Sequence, residues 1–210
     1  MLTATAPDAV INATSGMADW SVTADGAIRL ALAATRRGCR LVHVSSDAVF
    51  SGARIHYDER CLPDPVTPYG AAKAAAETAV RHLSPAAAVA RTSLIVGNGD
   101  SVHERRAHAA DVHFTDDIRC PVHVGDLASA LLELAASDHA GVFHLAGTDA
   151  VSRHELGTLV AHRDDLDPTR LPTAHRADAR IPGALDVRLD AGATQPLLRT
   201  RLRGAREFLR

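Results

Sequence analysis

Short apolar runs alternate with Ala-rich amphipathic stretches over the first two thirds of the chain. Ala9-Val10-Ile11-Asn12-Ala13 follows Pro7-Asp8 and is broken by Thr14-Ser15-Gly16, the pattern of a short buried strand. Residues 24–35, with Ile28, Leu30, Leu32 and several alanines, predict a helix that Gly38 stops as a C-terminal glycine does. Residues 41–45 are the next strand. Pro68 suits a helix start, and an Ala-rich run follows to Leu83 with no Gly or Pro after Gly70. Residues 87–96 are a third strand, ending at Gly97-Asn98-Gly99. Strand–helix–strand–helix–strand with short buried strands predicts an α/β fold with a parallel sheet. Ligands on such sheets sit at the carboxyl ends of the strands.

The remainder is less regular. Residues 101–117 read as polar and irregular, 121–124 as a brief strand, 127–136 as a helix and 141–146 as a strand. Ser152-Arg153-His154-Glu155 has the spacing of a capping box and opens a helix to about residue 161. Residues 163–184, rich in Asp, Arg and Pro, predict loops, and 196–209 an amphipathic helix. The expected organisation is a sheet domain over 1–150, with an excursion at 101–117, and a small C-terminal lobe over 151–210. The loop at 52–68 holds Pro63, Pro65 and Pro68 and is long for a plain connection, which suggests function.

Composition narrows the picture. Hydrophobic residues make up 46% and aromatics 3%, so the core is aliphatic. A net charge of −2 gives no bulk electrostatic case for nucleic acid or an anionic membrane. No apolar run reaches the length of a membrane span and no signal peptide is visible. Cys39, Cys61 and Cys120 are odd in number and scattered, which fits reduced thiols in the cytoplasm. His103, His108 and His113 recur every five residues, matching no single face of a helix or strand, and no metal site is expected.

The candidate chemistry lies between Ser46 and Lys73. Tyr69 and Lys73 are four residues apart, hence on one face of the predicted helix. An ammonium beside a phenol favours the phenolate, and a phenol so tuned gives or takes a proton near neutral pH. Lys73 is the only lysine, against 22 arginines, and Tyr69 one of two tyrosines. A plain surface position would be served as well by Arg, which the chain otherwise uses. Ser46 ends an apolar strand, where its hydroxyl can bond the same reacting oxygen.

These residues, with Val42-His43-Val44-Ser45-Ser46-Asp47-Ala48-Val49-Phe50-Ser51-Gly52, Tyr57-Asp58-Glu59, Pro68-Tyr69-Gly70-Ala71-Ala72-Lys73, Arg91-Thr92-Ser93 and Arg119-Cys120-Pro121-Val122-His123-Val124-Gly125-Asp126-Leu127-Ala128, resemble the extended short-chain dehydrogenase/reductase superfamily. The closest likeness within it is to sugar-nucleotide reductases of the dTDP-4-dehydrorhamnose reductase type. The resemblance implies a Rossmann-like parallel sheet and hydride transfer from NADP or NAD, with NADPH favoured, to a nucleotide-sugar ketone. It implies Ser46, Tyr69 and Lys73 as catalytic residues and Ser46 and Asp47 at the sugar. Ala13, Thr14 and Ser15, with Tyr69 and Lys73, would meet the cofactor, and a homo-oligomer is possible. The same scaffold serves epimerases, dehydratases and the non-catalytic regulatory subunit of methionine adenosyltransferase.

Three departures from the family pattern stand out. No Gly-x-x-Gly-x-x-Gly turn is present to hold a pyrophosphate at a helix N-terminus. The sheet is therefore expected to lack its first βαβ part, and dinucleotide binding to be weak in this form. Leu94 replaces the aromatic that follows Arg-Thr-Ser in the family. Residues 101–117 are compact where the family has substrate-binding helices.

Overall fold

The computed structural model describes residues 5–210. In chain order the first elements are β1 (Ala9–Asn12), α1 (Gly26–Arg37), β2 (Arg40–Ser46), β3 (Ile55–Tyr57), α2 (Pro68–Leu83), β4 (Ala88–Thr92) and β5 (Ile95–Val96). Next come α3 (Val102–His108), β6 (His113–Phe114), β7 (Ile118–Arg119), β8 (Val122–His123), α4 (Val124–Ala135) and β9 (Gly141–Leu145). The last are β10 (Val151–Ser152), α5 (Arg153–Arg163), β11 (Thr173–Ala174), β12 (Val187–Leu189) and α6 (Ala205–Phe208).

The central sheet has the order β1-β2-β4-β9, all parallel, with Val42 opposite Ala88, Ser46 opposite Thr92 and Thr92 opposite Leu145. Alternation within each strand divides its side chains between two faces. Val42, Val44, Ala88, Ala90, Phe143 and Leu145 pack on Leu127, Leu131 and Leu134 of α4. Leu41 and Val89 face the other way, against Ala31 and Ala34 of α1 and Val80 of α2. Helices thus cover both faces, which is why the strands are apolar throughout. Alanines on the inner faces of α1 and α2 let those backbones approach the sheet closely.

Several expectations are met. Gly38 ends α1 at φ 65° and donates to the carbonyls of Ala34 and Thr35, as a left-handed C-terminal glycine does. Pro68 opens α2, and the Thr67 hydroxyl accepts from Gly70 N at 3.0 Å. The strand at 87–96, in contrast, is two strands: the chain turns away after Thr92, and β5 pairs with β8.

Residues 101–117 are not irregular. Ser101 and Glu104 form a full capping box that starts α3, the same Ser-x-x-Glu spacing as at 152–155. The polar face of α3 masks its signal in the sequence. Residues 163–184 contain β11, which pairs with β6. The helix expected over 196–209 is a single turn, α6, because Gln195 draws the intervening chain into an extended path, bonding Thr200 O and Leu202 N. The loop at 52–68 contains β3, which pairs with β12. Among the described residues β1 is paired on one side only.

Candidate functional site

Each predicted site residue except those of the β1 loop belongs to α2, to the end of β2 or to the turn that follows it. After Ser46 the chain makes one 3-10 turn, Asp47–Val49, capped by the Ser46 hydroxyl, which accepts from Ala48 N at 3.2 Å. Gly70 seats the first turn of α2 against this one: a Cβ there would stand 2.1 Å from the Ala48 carbonyl oxygen. Only a glycine permits that approach. The two turns carrying Ser46 and Tyr69 are thereby held together.

Lys73 lies one turn past Tyr69 and is 3% exposed. Its Nζ donates to Val44 O at 3.0 Å and to Thr14 O at 3.4 Å. It therefore reaches under the carboxyl ends of β1 and β2, and is no solvated surface lysine. Burial pushes its pKa below the ordinary lysine value, while Glu77 pulls it up. The third ammonium proton remains free for a ligand, and the partly buried Tyr69 hydroxyl makes no hydrogen bond with the described residues. Ala13, Thr14 and Ser15 are exposed at the end of β1. Asn12 fixes their loop, accepting from Thr14 N at 3.2 Å and meeting His43 Nδ1 at 3.1 Å. Burial and the Lys73 charge push the His43 pKa down to about 3, so its ring is neutral at ordinary pH.

Asp47 belongs to a charged network. The Ser93 hydroxyl donates to it at 2.7 Å, the Ser46 hydroxyl at 3.2 Å, and Arg119 Nε stands 3.6 Å off. Arg119 also pairs with Asp117 at 2.9 Å, and Asp117 with Arg153 at 3.3 Å and Arg176 at 3.1 Å. Asp117, Arg153 and Arg176 border a cavity of about 250 Å³ that His103, Arg106 and His113 also line. His103, His108 and His113 have separate partners: Arg153 at 3.2 Å, Asp164 at 2.6 Å, and the close backbone of Gly157. Among the described residues no cluster of metal-ligating side chains exists, and no helix is long and apolar enough to cross a membrane.

The sequence assigned no individual role to Asn12, Glu77, Arg91, Ser93 or the Asp117–Arg119–Arg153–Arg176 network. Two left a signal. Glu77 is one turn beyond Lys73 on an otherwise Ala-rich helix, and Arg91 is a charge inside an apolar strand, where a buried charge requires a partner. Leu94 is partly buried against the cluster of Val96, Leu156 and Val160.

Of this structure's residues, the free donors of Lys73 and Tyr69 beside the exposed β1 loop fit the nicotinamide-ribose end of a dinucleotide. For the pyrophosphate end, the described residues offer no glycine-rich turn.

The model of the RmlD substrate-binding domain family matches residues 2–185. Methionine adenosyltransferase 2 subunit beta from Bos taurus is 29% identical over 184 residues, covering 80% of this chain and 53% of that protein. The dTDP-4-dehydrorhamnose reductase of Sinorhizobium fredii is 30% identical over 147 residues, covering 63% of this chain and 50% of that protein. The chain thus spans about half the length of these curated relatives. Among solved structures, dTDP-4-dehydrorhamnose reductase from Bacillus anthracis in complex with NADP superposes with a TM-score of 0.87 at 21% identity, covering 99% of this chain and 80% of that one. That likeness shows a shared Rossmann-like fold.

Proposed function

We propose a function from one premise: the chain belongs to the RmlD substrate-binding domain family. It carries the proton-donating and substrate-facing part of a nicotinamide-dependent reductase of a nucleotide-sugar ketone. The observation that carries this reading is the placement of Lys73, buried under two strand ends one turn from a tyrosine with a free hydroxyl.

Tyr69 gives its proton to the carbonyl oxygen of the sugar. The Lys73 charge stabilises the phenolate left behind, lowering the cost of that transfer. The Ser46 hydroxyl turns from Asp47 to the same oxygen and orients it. Asp47, held by Ser93 and Arg119, lines the sugar. Ala13, Thr14 and Ser15 border the cofactor, and Lys73 offers its free N–H to the ribose. The cofactor, when bound, supplies hydride to the carbonyl carbon. NADPH is the form favoured, and the cytoplasm the expected compartment. Residues 1–150 form the cofactor-side domain and 151–210 part of the substrate lobe.

The experiment is to incubate the chain with NADPH and dTDP-4-dehydrorhamnose and follow both cofactor oxidation and the sugar product. Stoichiometric conversion supports the reading. The similarity to methionine adenosyltransferase 2 subunit beta, 29% identical over 184 residues, supports a second reading, a non-catalytic binding subunit. No conversion at saturating cofactor would select it.

A further inference from the structure

Arg91 stands in the middle of the buried sheet and is 1% exposed, as is Glu77. Its guanidinium meets the Glu77 carboxylate three times: Nε to Oε1 at 3.1 Å, Nε to Oε2 at 3.2 Å and Nη2 to Oε2 at 2.8 Å. Arg91 Nη1 donates to Cys61 O at 3.0 Å, and the guanidinium lies 4.9 Å from the centroid of the Phe50 ring. The pair therefore ties α2, β4 and the loop before α2 to one point. A buried ion pair is a poor way to gain stability, since hydrophobic residues of equal volume often do as well or better. Its position suggests another use. Tyr69, Lys73 and Glu77 are spaced at four residues, so they share one face of α2.

We propose that Glu77 is a positioning residue for Lys73, its carboxylate keeping the Lys73 side chain cationic and directed at the Val44 and Thr14 carbonyls, and that Arg91 holds that carboxylate in place while partly offsetting its charge. The catalytic consequence rests on the proposed roles of Tyr69 and Lys73. The other groups facing Lys73 do not substitute for Glu77. His43 on β2 is neutral at ordinary pH, Asn12 on β1 carries no charge, and Tyr69 on α2 is itself the group to be tuned. Burial works against the ammonium and Glu77 works for it.

The chain's single lysine makes a direct test available. Lysine labelled with ¹³C at Cε gives one side-chain signal, and its pH titration reads Lys73 alone in the 210-residue chain, without substrate or cofactor. Glu77→Gln removes the carboxylate and leaves the Arg91 charge, so the Lys73 pKa falls, by about one unit or more. Arg91→Gln leaves the carboxylate without its neutralising partner, so the Lys73 pKa rises. The double variant Glu77→Met, Arg91→Met keeps the volume and removes both charges. Its Lys73 pKa falls, because the carboxylate on the lysine's own helix outweighs the arginine behind it, and falls by less than in Glu77→Gln, because the opposing arginine charge is gone as well.

A merely structural clamp predicts no such ordering: both single variants would leave the titration unmoved or shift it the same way. Either result overturns the proposal. If the single variants do not fold, the double variant decides, and a Lys73 pKa unchanged from wild type overturns it equally. The titration stands apart from the catalytic reading. A correct ordering together with a Tyr69→Phe protein of normal turnover would keep the pair and discard the chemistry.

Discussion

Lys73 and Val44 are joined by a 3.0 Å hydrogen bond from the ammonium to the backbone carbonyl. That bond runs from the middle of α2 to the next-to-last turn of the pleat before Ser46, so one side chain links the two elements that carry the candidate acid and its companion hydroxyl. A second bond, to Thr14 O, brings in the loop after β1. The site is thus assembled by backbone acceptors at strand ends, and its geometry depends on the length and shape of one lysine.

Replacing that lysine by arginine keeps the charge but not the fit. The guanidinium is larger and planar, and cannot set one compact tetrahedral nitrogen against both carbonyls. Lys73 is buried beside His43 and the carboxyl ends of β1 and β2. Lys73→Arg is expected to cost about 1–3 kcal/mol of stability through overpacking, a fall of roughly 2–12 °C in Tm for a chain of this size. Turnover is expected to fall more steeply than that stability loss explains. Calorimetry alongside the NADPH-oxidation assay checks both.

Gly70→Ala addresses how the two turns are held together. The added Cβ would collide with the Ala48 carbonyl oxygen, which is backbone and cannot swing away. A stability loss of about 1–3 kcal/mol is expected together with a turnover loss, because Tyr69 and Ser46 move apart. Gly38→Ala is the control. Its φ of 65° makes a side chain costly by about 1–2 kcal/mol, but nothing lies within 4 Å and the site is far along α1. Urea denaturation should show a loss in both, and the assay a loss in Gly70→Ala alone.

Glu104 makes the acid limb of stability predictable. Burial alone would raise its pKa, but hydrogen bonds from Ser101 and Arg163 outweigh that and hold it down to about 2, against 4.5 in the unfolded chain. A folded-state pKa below the unfolded one contributes stability that is complete above about pH 4.5 and is lost as pH falls toward 2. At 1.36 kcal/mol per pKa unit this amounts to about 3 kcal/mol. Glu104→Gln should flatten the pH dependence between these limits and weaken the protein at neutral pH. Denaturant midpoints measured from pH 2 to 7 give the answer.

The parts legible in the sequence were those governed by local pattern. The strand read at Ala9–Ala13, observed at Ala9–Asn12, the end of α1 at Gly38 and the start of α2 at Pro68 follow from an apolar run, a left-handed glycine and a proline at the first helical position. Tyr69 and Lys73 were legible because spacing alone places them on one helix face. What was hidden depends on distant partners. The strand Ile55–Tyr57 exists only because Val187–Leu189 pairs with it, more than a hundred residues later. The extended path before α6 depends on the side chain of Gln195. Glu77 and Arg91 are fourteen residues apart and meet only when β4 lies beside α2.

The central claim is that Tyr69 donates the proton in reduction of a nucleotide-sugar ketone. The most direct measurement compares NADPH-dependent turnover of wild-type and Tyr69→Phe chains at saturating cofactor and dTDP-4-dehydrorhamnose, with Tm measured in parallel. Phenylalanine keeps the ring and removes only a hydroxyl that bonds to no described residue, so Tm should be nearly unchanged. Turnover should fall roughly 10²–10⁴-fold, the contribution of a general acid. A Tyr69→Phe chain that turns over within about twofold of wild type would contradict the account.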